Sequence, residues 1–322
     1  MRHTATALVL MVVTCLAASD ARAWSKAGHM VTGAIAYYDL KANDRQTLDR
    51  VINILREHPF YEERWLPAIT ALSASPNNVV GDFNDTEGLF LFMYAARWPD
   101  DIRGDPDLHC GDCHFVNFRF RPTQPGASLV SIGGQLLDAF DGNIGIARGN
   151  GTCEERAMAI SWVLHLTGDV HQPLHTAALV TQEFPQGDRG GTRFFIRATS
   201  SSQTISLHKF WDDTIMGSER FRSVNNRALG LMSRATLTRA ALSNAELREP
   251  AFRQWARAES FPAARQQGYV NGTLRSGTSS NGRVLPQGYA ATAQPVAERR
   301  AVLAGYRIAD LLKNLPECGA TP

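Results

Sequence analysis

The stretch "HLTGDVHQPLH", residues 165 to 175, constrains this chain more than any other. It closes a longer run, residues 154 to 170, whose apolar side chains recur at helical spacing. On such a helix His165 and Asp169 stand four apart and share a face, so an imidazole and a carboxylate converge on one ion. Pro173 has no N–H to continue the helix and ends or bends it, which puts His175 on the next turn. "LHKFWDD" repeats the i,i+4 spacing with His208 and Asp212. A single His/Asp pair is usually a solvated contact on a helix surface. Two pairs plus His175, in a chain with only nine histidines, point to a metal centre, and imidazole with carboxylate is a zinc-type ligand set.

The N-terminus places that centre outside the cytoplasm. Residues 1 to 23 carry a basic start at Arg2, the apolar stretch "ALVLMVVTCLAA" and the small-x-small triplet Ala21-Arg22-Ala23, the pattern of a cleaved signal peptide. Trp24 is then the predicted mature N-terminus. The apolar stretch falls short of the roughly 20 residues a spanning helix needs, so the expectation is an exported protein, periplasmic or secreted, without membrane insertion. Loss of Arg2, Arg22 and Asp20 lowers the formal net charge from +2 to +1. So even a balance excludes nucleic-acid binding by bulk electrostatics, and any such contact has to be local.

Cys15 leaves with the signal, and Cys110, Cys113, Cys153 and Cys318 remain. An even count in an oxidising compartment predicts two disulfides with three possible connectivities, of which Cys110 with Cys113 and Cys153 with Cys318 is favoured. Helical spacing also marks residues 26–40, 44–58 and 295–315. Residues 192–207, β-branched and aromatic around a Ser-rich middle, predict a short hairpin, and the Gly, Ser and Asn concentration over 268–288 predicts a long loop. No repeat or composition shift marks a domain boundary.

"WSKAGH", "RWPDDIR", "HFVN", "HLTGDVHQPLH" and "LHKFWDD", in that order, followed by "RQWARAES" and "LAGYRIADLL", resemble the zinc-dependent type I nuclease family, the single-strand-specific nucleases of the S1/P1 type. The resemblance runs from Trp24 to about Leu312. It implies a mainly α single helical domain over residues 24–322, of the kind shared with zinc phospholipase C, with a short β-hairpin. It implies three zinc ions: one held by Asp100, His114, His165 and Asp169, a second by the Trp24 amino nitrogen and carbonyl, His29 and a bridging Asp169, and a third by His175, His208 and Asp212. The arrangement is chemically coherent, because a carboxylate can bridge two ions and two ions about 3.5–4 Å apart can share a water and lower its pKa. By the same resemblance Arg103 stabilises charge on the phosphate. Phe115 stacks on a nucleobase, a contact of about 1–3 kcal/mol that is available only where bases are unstacked. The implied activity is endonucleolytic hydrolysis of single-stranded DNA and RNA to 5′-phosphorylated products, with 3′-nucleotidase activity and no stable protein partner.

The chain departs from the family at Asn117, an aspartate in fungal members, where an amide both donates and accepts toward the base. Thr192 and Ser206 replace asparagines and predict weaker support around His208. Two other readings compete. Zinc phospholipase C shares the fold and phosphate chemistry but needs an apolar entrance that the sequence does not reveal. "CGDCH", Cys110 to His114, is also the signature of covalent c-type haem in an electron-transfer protein, with His114 as the iron ligand. His171 reads as a neighbour of the ligands or an exposed residue. His58 and His109 read as loop or surface residues, and Asp101 and Asp213 as solvated or capping groups.

Overall fold

A computed structural model describes residues 24–124, 129–149, 151–242, 246–247 and 252–318; the predicted signal peptide, with Cys15, lies outside them. The fold is mainly helical. Helix α1 (Lys26–Asn43) is capped by Ser25, whose hydroxyl accepts from the Gly28 amide, and α2 (Arg45–Leu55) is capped by Asp44. Next come α3 (Leu66–Ser73), α4 (Phe83–Asp101) and α5 (Leu136–Arg148). Helix α6 (Cys153–His171) starts in a reciprocal capping box between Thr152 and Glu155. Gln172 and Pro173 end it and open a single 3-10 turn, Pro173–Thr176.

After this come α7 (Leu207–Asp213), α8 (Phe221–Met232), a helix of alternating α and π turns over 252–268 (α9), and α10 (Tyr289–Leu311). The predicted helices at 26–40, 44–58, 154–170 and 295–315 therefore form, the last beginning earlier than expected because Pro295 falls in its first turns.

Helix α1 is buried along most of its length, packed against α4, α8 and α10, while α6 lies against α4, α5 and α10. Apolar residues from Trp24 to Leu315 form one contiguous cluster around them. Glycines allow close helix approaches around the site: a Cβ at Gly168 of α6 would stand 2.6 Å from the His29 ring of α1, and one at Gly33 would stand 2.3 Å from the Phe92 carbonyl of α4.

Strand β1 (Phe118–Phe120) pairs in parallel with β2 (Ala177–Leu179), Phe118 opposite Ala177. β3 (Phe195–Arg197) and β4 (Ile205–Ser206) make the predicted antiparallel hairpin. The 268–288 segment departs from the expected loop, because β5 (Arg283–Val284) joins β3 in parallel. Glycine allows this: a Cβ at Gly282 would stand 2.6 Å from the Ile196 carbonyl. Cys110 is bonded to Cys113 and Cys153 to Cys318, the favoured pairing. Among the described residues no helix is long and apolar enough to cross a membrane.

Candidate metal centre and cleft

Asp169 is the hub of the site. It is fully buried on α6; one oxygen, Oδ1, lies 3.3 Å from His29 Nε2, while Oδ2 lies 3.2 Å from His114 Nδ1 and 3.3 Å from His165 Nε2. Helices α1 and α6 bring His29 and Asp169 together across the Gly168 contact. The His29 and His165 rings stack with centroids 3.8 Å apart. Asp100, in the last turn of α4, places Oδ1 3.9 Å from His165 Nε2.

The imidazoles face inward, three of them with one ring nitrogen tied to a backbone carbonyl. His165 Nδ1 donates to the Ala96 carbonyl at 2.8 Å, which leaves its Nε2 as a lone pair facing the carboxylates. His175 Nδ1 donates to the His114 carbonyl and His208 Nδ1 to the Gly190 carbonyl, both at 2.6 Å. Parallel pairing of β1 with β2 continues this contact, since the Val116 amide donates to the His175 carbonyl. Backbone carbonyls thus fix the tautomers, the outer support metal-binding histidines normally have.

Burial and the crowding of like groups push His29 and His114 well below the usual histidine range. Burial brings His165 down to about 4. The Asp169 carboxyl is driven well above the usual carboxylate range by burial and then by the Asp100 charge, and burial raises Asp212 likewise.

Such a set suits cations. Both ring nitrogens of His29, His114 Nε2, Asp100 Oδ2 and Asp169 Oδ1 are buried and lack a hydrogen bond of good geometry among the described residues. Lone pairs facing one another in a dry interior are costly unless a positive ion lies between them. Three groups can each converge on one ion: His29, His165 and Asp169; Asp100, His114 and His165; His175, His208 and Asp212. In the third, His208 Nε2 lies 3.7 Å from Asp212 Oδ2, while Asp212 Oδ1 accepts from the buried Gln172 amide at 2.7 Å. Trp24 is completely buried, and the next residue's amide donates to the Asp212 carbonyl at 3.1 Å, so the start of α1 adjoins the third group.

A cleft of about 510 Å³ opens onto these groups. Arg103, His114, Phe115, Asn117 and His208 line it. Arg103 clamps Asp100 Oδ1 through Nε at 2.9 Å and a second guanidinium nitrogen at 2.6 Å. Phe115 is half-buried against Gly134, and Asn117 anchors the same loop through its backbone, donating to the Gly133 carbonyl. Arg189, Arg193 and Gln186 also line the cleft. Sequence reading missed these three; the "QGDRGGTR" turn that carries them was the available signal.

Several neighbours differ from expectation. His58 is buried, stacked 4.3 Å from the Trp65 ring, because three aromatic side chains enclose its loop. His171 is fully buried too: its Nδ1 donates to the Thr167 carbonyl and its Nε2 accepts from Arg307 at 2.7 Å. His109 lines the cleft mouth. Asp101 binds Lys26 and Arg97, and Asp213 binds Lys209. Ser206 caps α7 through the Lys209 amide, so it supports the helix carrying His208, whereas the buried Thr192 hydroxyl has no partner among the described residues. In "CGDCH" both sulfurs are consumed by the Cys110–Cys113 bond and the His114 ring faces Asp169, which removes the basis of the haem reading.

The S1/P1 Nuclease family model matches residues 24–317. Among curated proteins, the chain is 25% identical over 286 residues to Endonuclease 4 of Arabidopsis thaliana, covering 80% of this chain and 84% of that relative. Endonuclease 3 of the same plant is 26% identical, covering 69% and 75%, and Endonuclease 5 is 27% identical, covering 80% and 85%. Since one family model spans the described helices and every clustered histidine and aspartate from His29 to Asp212, the chain belongs to the S1/P1 nuclease family.

Proposed function

We propose that the protein is an exported, zinc-dependent endonuclease that cleaves single-stranded DNA and RNA to 5′-phosphorylated products and removes phosphate from 3′-nucleotides. Asp169 carries this reading, because each of its two buried oxygens faces imidazole nitrogens at 3.2–3.3 Å, as a bridge between two ions requires. Residues 1–23 act as signal peptide and 24–322 as one nuclease domain, in keeping with the contiguous apolar cluster.

Three zinc ions are assigned: one to Asp100, His114, His165 and Asp169, one to Trp24 (amine and carbonyl), His29 and Asp169, and one to His175, His208 and Asp212. When bound they supply Lewis acidity toward the phosphate and an acidified water. The chain's own groups do the remaining work. Asp169 holds the two sets in register. Arg103, anchored on Asp100 and facing the cleft, neutralises charge as phosphorus becomes five-coordinate. Phe115 stacks on the base and Asn117 reads its edge, which favours unpaired strands. Attack of water breaks the bond from phosphorus to the 3′ oxygen, leaving a 5′-phosphate on one fragment and a 3′-hydroxyl on the other; the same cleavage of a 3′-nucleotide releases phosphate.

Elemental analysis of the purified mature protein should give close to three zinc ions per chain, with faster hydrolysis of single-stranded than duplex DNA. Hydrolysis of phosphatidylcholine but not of oligonucleotides would replace this reading with zinc phospholipase C. Phe115→Ala should reduce kcat/KM on oligonucleotides by about 5- to 150-fold, the equivalent of about 1–3 kcal/mol of stacking, and spare a small phosphodiester without a base.

A further inference from the structure

We infer that Arg189 and Arg193 form a second phosphate subsite that holds the strand beside the scissile bond and so separates polynucleotides from single nucleotides. The inference rests on the nuclease reading above. Both residues line the cleft that opens onto the metal-type groups, on a stretch of chain distinct from Arg103.

The turn presenting them is rigidly built. Asp188 is completely buried; its carboxylate accepts from the Leu179 amide at 2.9 Å and from the Tyr269 hydroxyl at 2.8 Å. The Arg193 amide donates to the Asp188 carbonyl at 3.0 Å and closes the turn. Gly187, Arg189, Gly190 and Gly191 all have positive φ, at 89°, 56°, 60° and 83°. An arginine is an uncommon occupant of that region, where glycine sits without strain. The backbone therefore gives no reason for a side chain at 189, and the reason has to lie in what the side chain does.

That side chain is uncommitted. Arg189 and Arg193 are exposed, and among the described residues neither guanidinium makes a hydrogen bond or ion pair, whereas exposed Arg45 and Arg253 are matched to Asp49 and to Asp138 with Asp141. Arg103 is already engaged by Asp100, and Asp112 is the one carboxylate among the residues lining the cleft. In a chain of near-neutral charge, two free guanidinium groups in one cleft make a local cationic site suited to the forked oxygens of a phosphodiester. The site is continuous with the centre, because the carbonyl of Gly190, the next residue after Arg189, orients His208 at 2.6 Å. A 3′-nucleotide has one phosphate, which occupies the centre; a polymer has a flanking phosphate that reaches the turn.

The test compares zinc-loaded wild type, R189G, R193A, the double variant and R189K/R193K on a single-stranded decanucleotide, a 3′-mononucleotide and bis(4-nitrophenyl) phosphate. Glycine at 189 suits the left-handed backbone, so R189G retains the turn. For the double variant, the ratio of kcat/KM on the decanucleotide to kcat/KM on the small ester should fall at least about tenfold, mainly through KM. The log–log salt dependence on the decanucleotide should become shallower by about 0.7 for each phosphate that is no longer neutralised, and the lysine variant should keep the wild-type slope. An unchanged ratio and slope in a wild type that cleaves the decanucleotide would overturn the subsite alone. A wild type that carries zinc and hydrolyses the small ester but not the decanucleotide would overturn the nuclease reading, and the subsite with it.

Discussion

The two sides of the metal-type centre use the same residue types and are positioned by different physics. His29, His165, Asp169 and Asp100 stand on the facing sides of α1, α6 and α4, three long helices locked into the apolar core, and packing of those helices brings them together. His175, His208 and Asp212 stand on one 3-10 turn and the seven-residue α7, too short to be fixed by burial alone. On this side each of the three groups has a hydrogen bond beside its burial: His175 on the His114 carbonyl, His208 on the Gly190 carbonyl, Asp212 on the Gln172 amide, whereas on the helix side His165 rests on the Ala96 carbonyl and His29 on packing alone. His114 belongs to both, since its ring faces the helices while its carbonyl serves His175. Packed ligands should therefore fail together with the core, and hydrogen-bonded ligands should fail one turn at a time.

The largest effect should follow from Asp169→Asn. Removing the shared negative charge should release two of the three proposed zinc ions and lower kcat by about 10³-fold or more, equivalent to about 4 kcal/mol of transition-state stabilisation. Inductively coupled plasma analysis beside the hydrolysis assay checks it; retention of three ions would break the contrast at its centre. Gly190→Ala strikes the other side, because the new Cβ would stand 2.5 Å from the Leu174 carbonyl at a φ of 60°. Its carbonyl would leave His208, and zinc affinity should fall about 10–100-fold at one site only, seen as a single weakened step in a chelator titration.

His171→Leu probes the packed side away from the metals. The buried His171 is held neutral, well below the histidine value of 6.5, by burial and by Arg300 and Arg307, so only the unfolded chain takes up its proton. The folded state thus loses stability as pH falls below 6.5, by about 1 kcal/mol from this group between pH 7 and 5.5. Urea unfolding should show the variant about 1–3 kcal/mol less stable at pH 7, with Arg307 losing one of its acceptors while Glu259 remains, and with that part of the acid sensitivity gone. The smallest effect is expected from Thr152→Ala, which removes the α6 cap for about 1 kcal/mol of stability with zinc content unchanged.

The clustered histidines and aspartates are legible because i,i+4 spacing and scarce histidines leave a pattern in the sequence. Their supports are not, since the carbonyls of Ala96, Gly190 and His114 have no residue type to mark them. Helix α4 escapes a periodicity reading because "GLFLFMYAARW" is apolar on all faces and Pro99 reads as a breaker, although it sits in the helix's last turn. Burial of α6 on nearly every side leaves it little polar face, yet the helical spacing of its apolar residues over 154–170 still marks it. The burial of His58 is not legible, because enclosure by Phe60, Trp65 and Trp98 depends on residues up to 40 positions distant.

The central place of α1 governs how this molecule can come into being. The helix formed by residues 26–43 is buried against α4, α8 and α10, and α10 ends at Leu311. The first of the described helices therefore waits for the last of them before its apolar surface is covered. Until then its side chains invite self-association, and native contacts must close loops of more than two hundred residues, which makes folding slow. A chain cut short before α10 should be a client for chaperones and proteases rather than a weak enzyme. Catalytic competence would then arrive all at once, only after α10 has emerged.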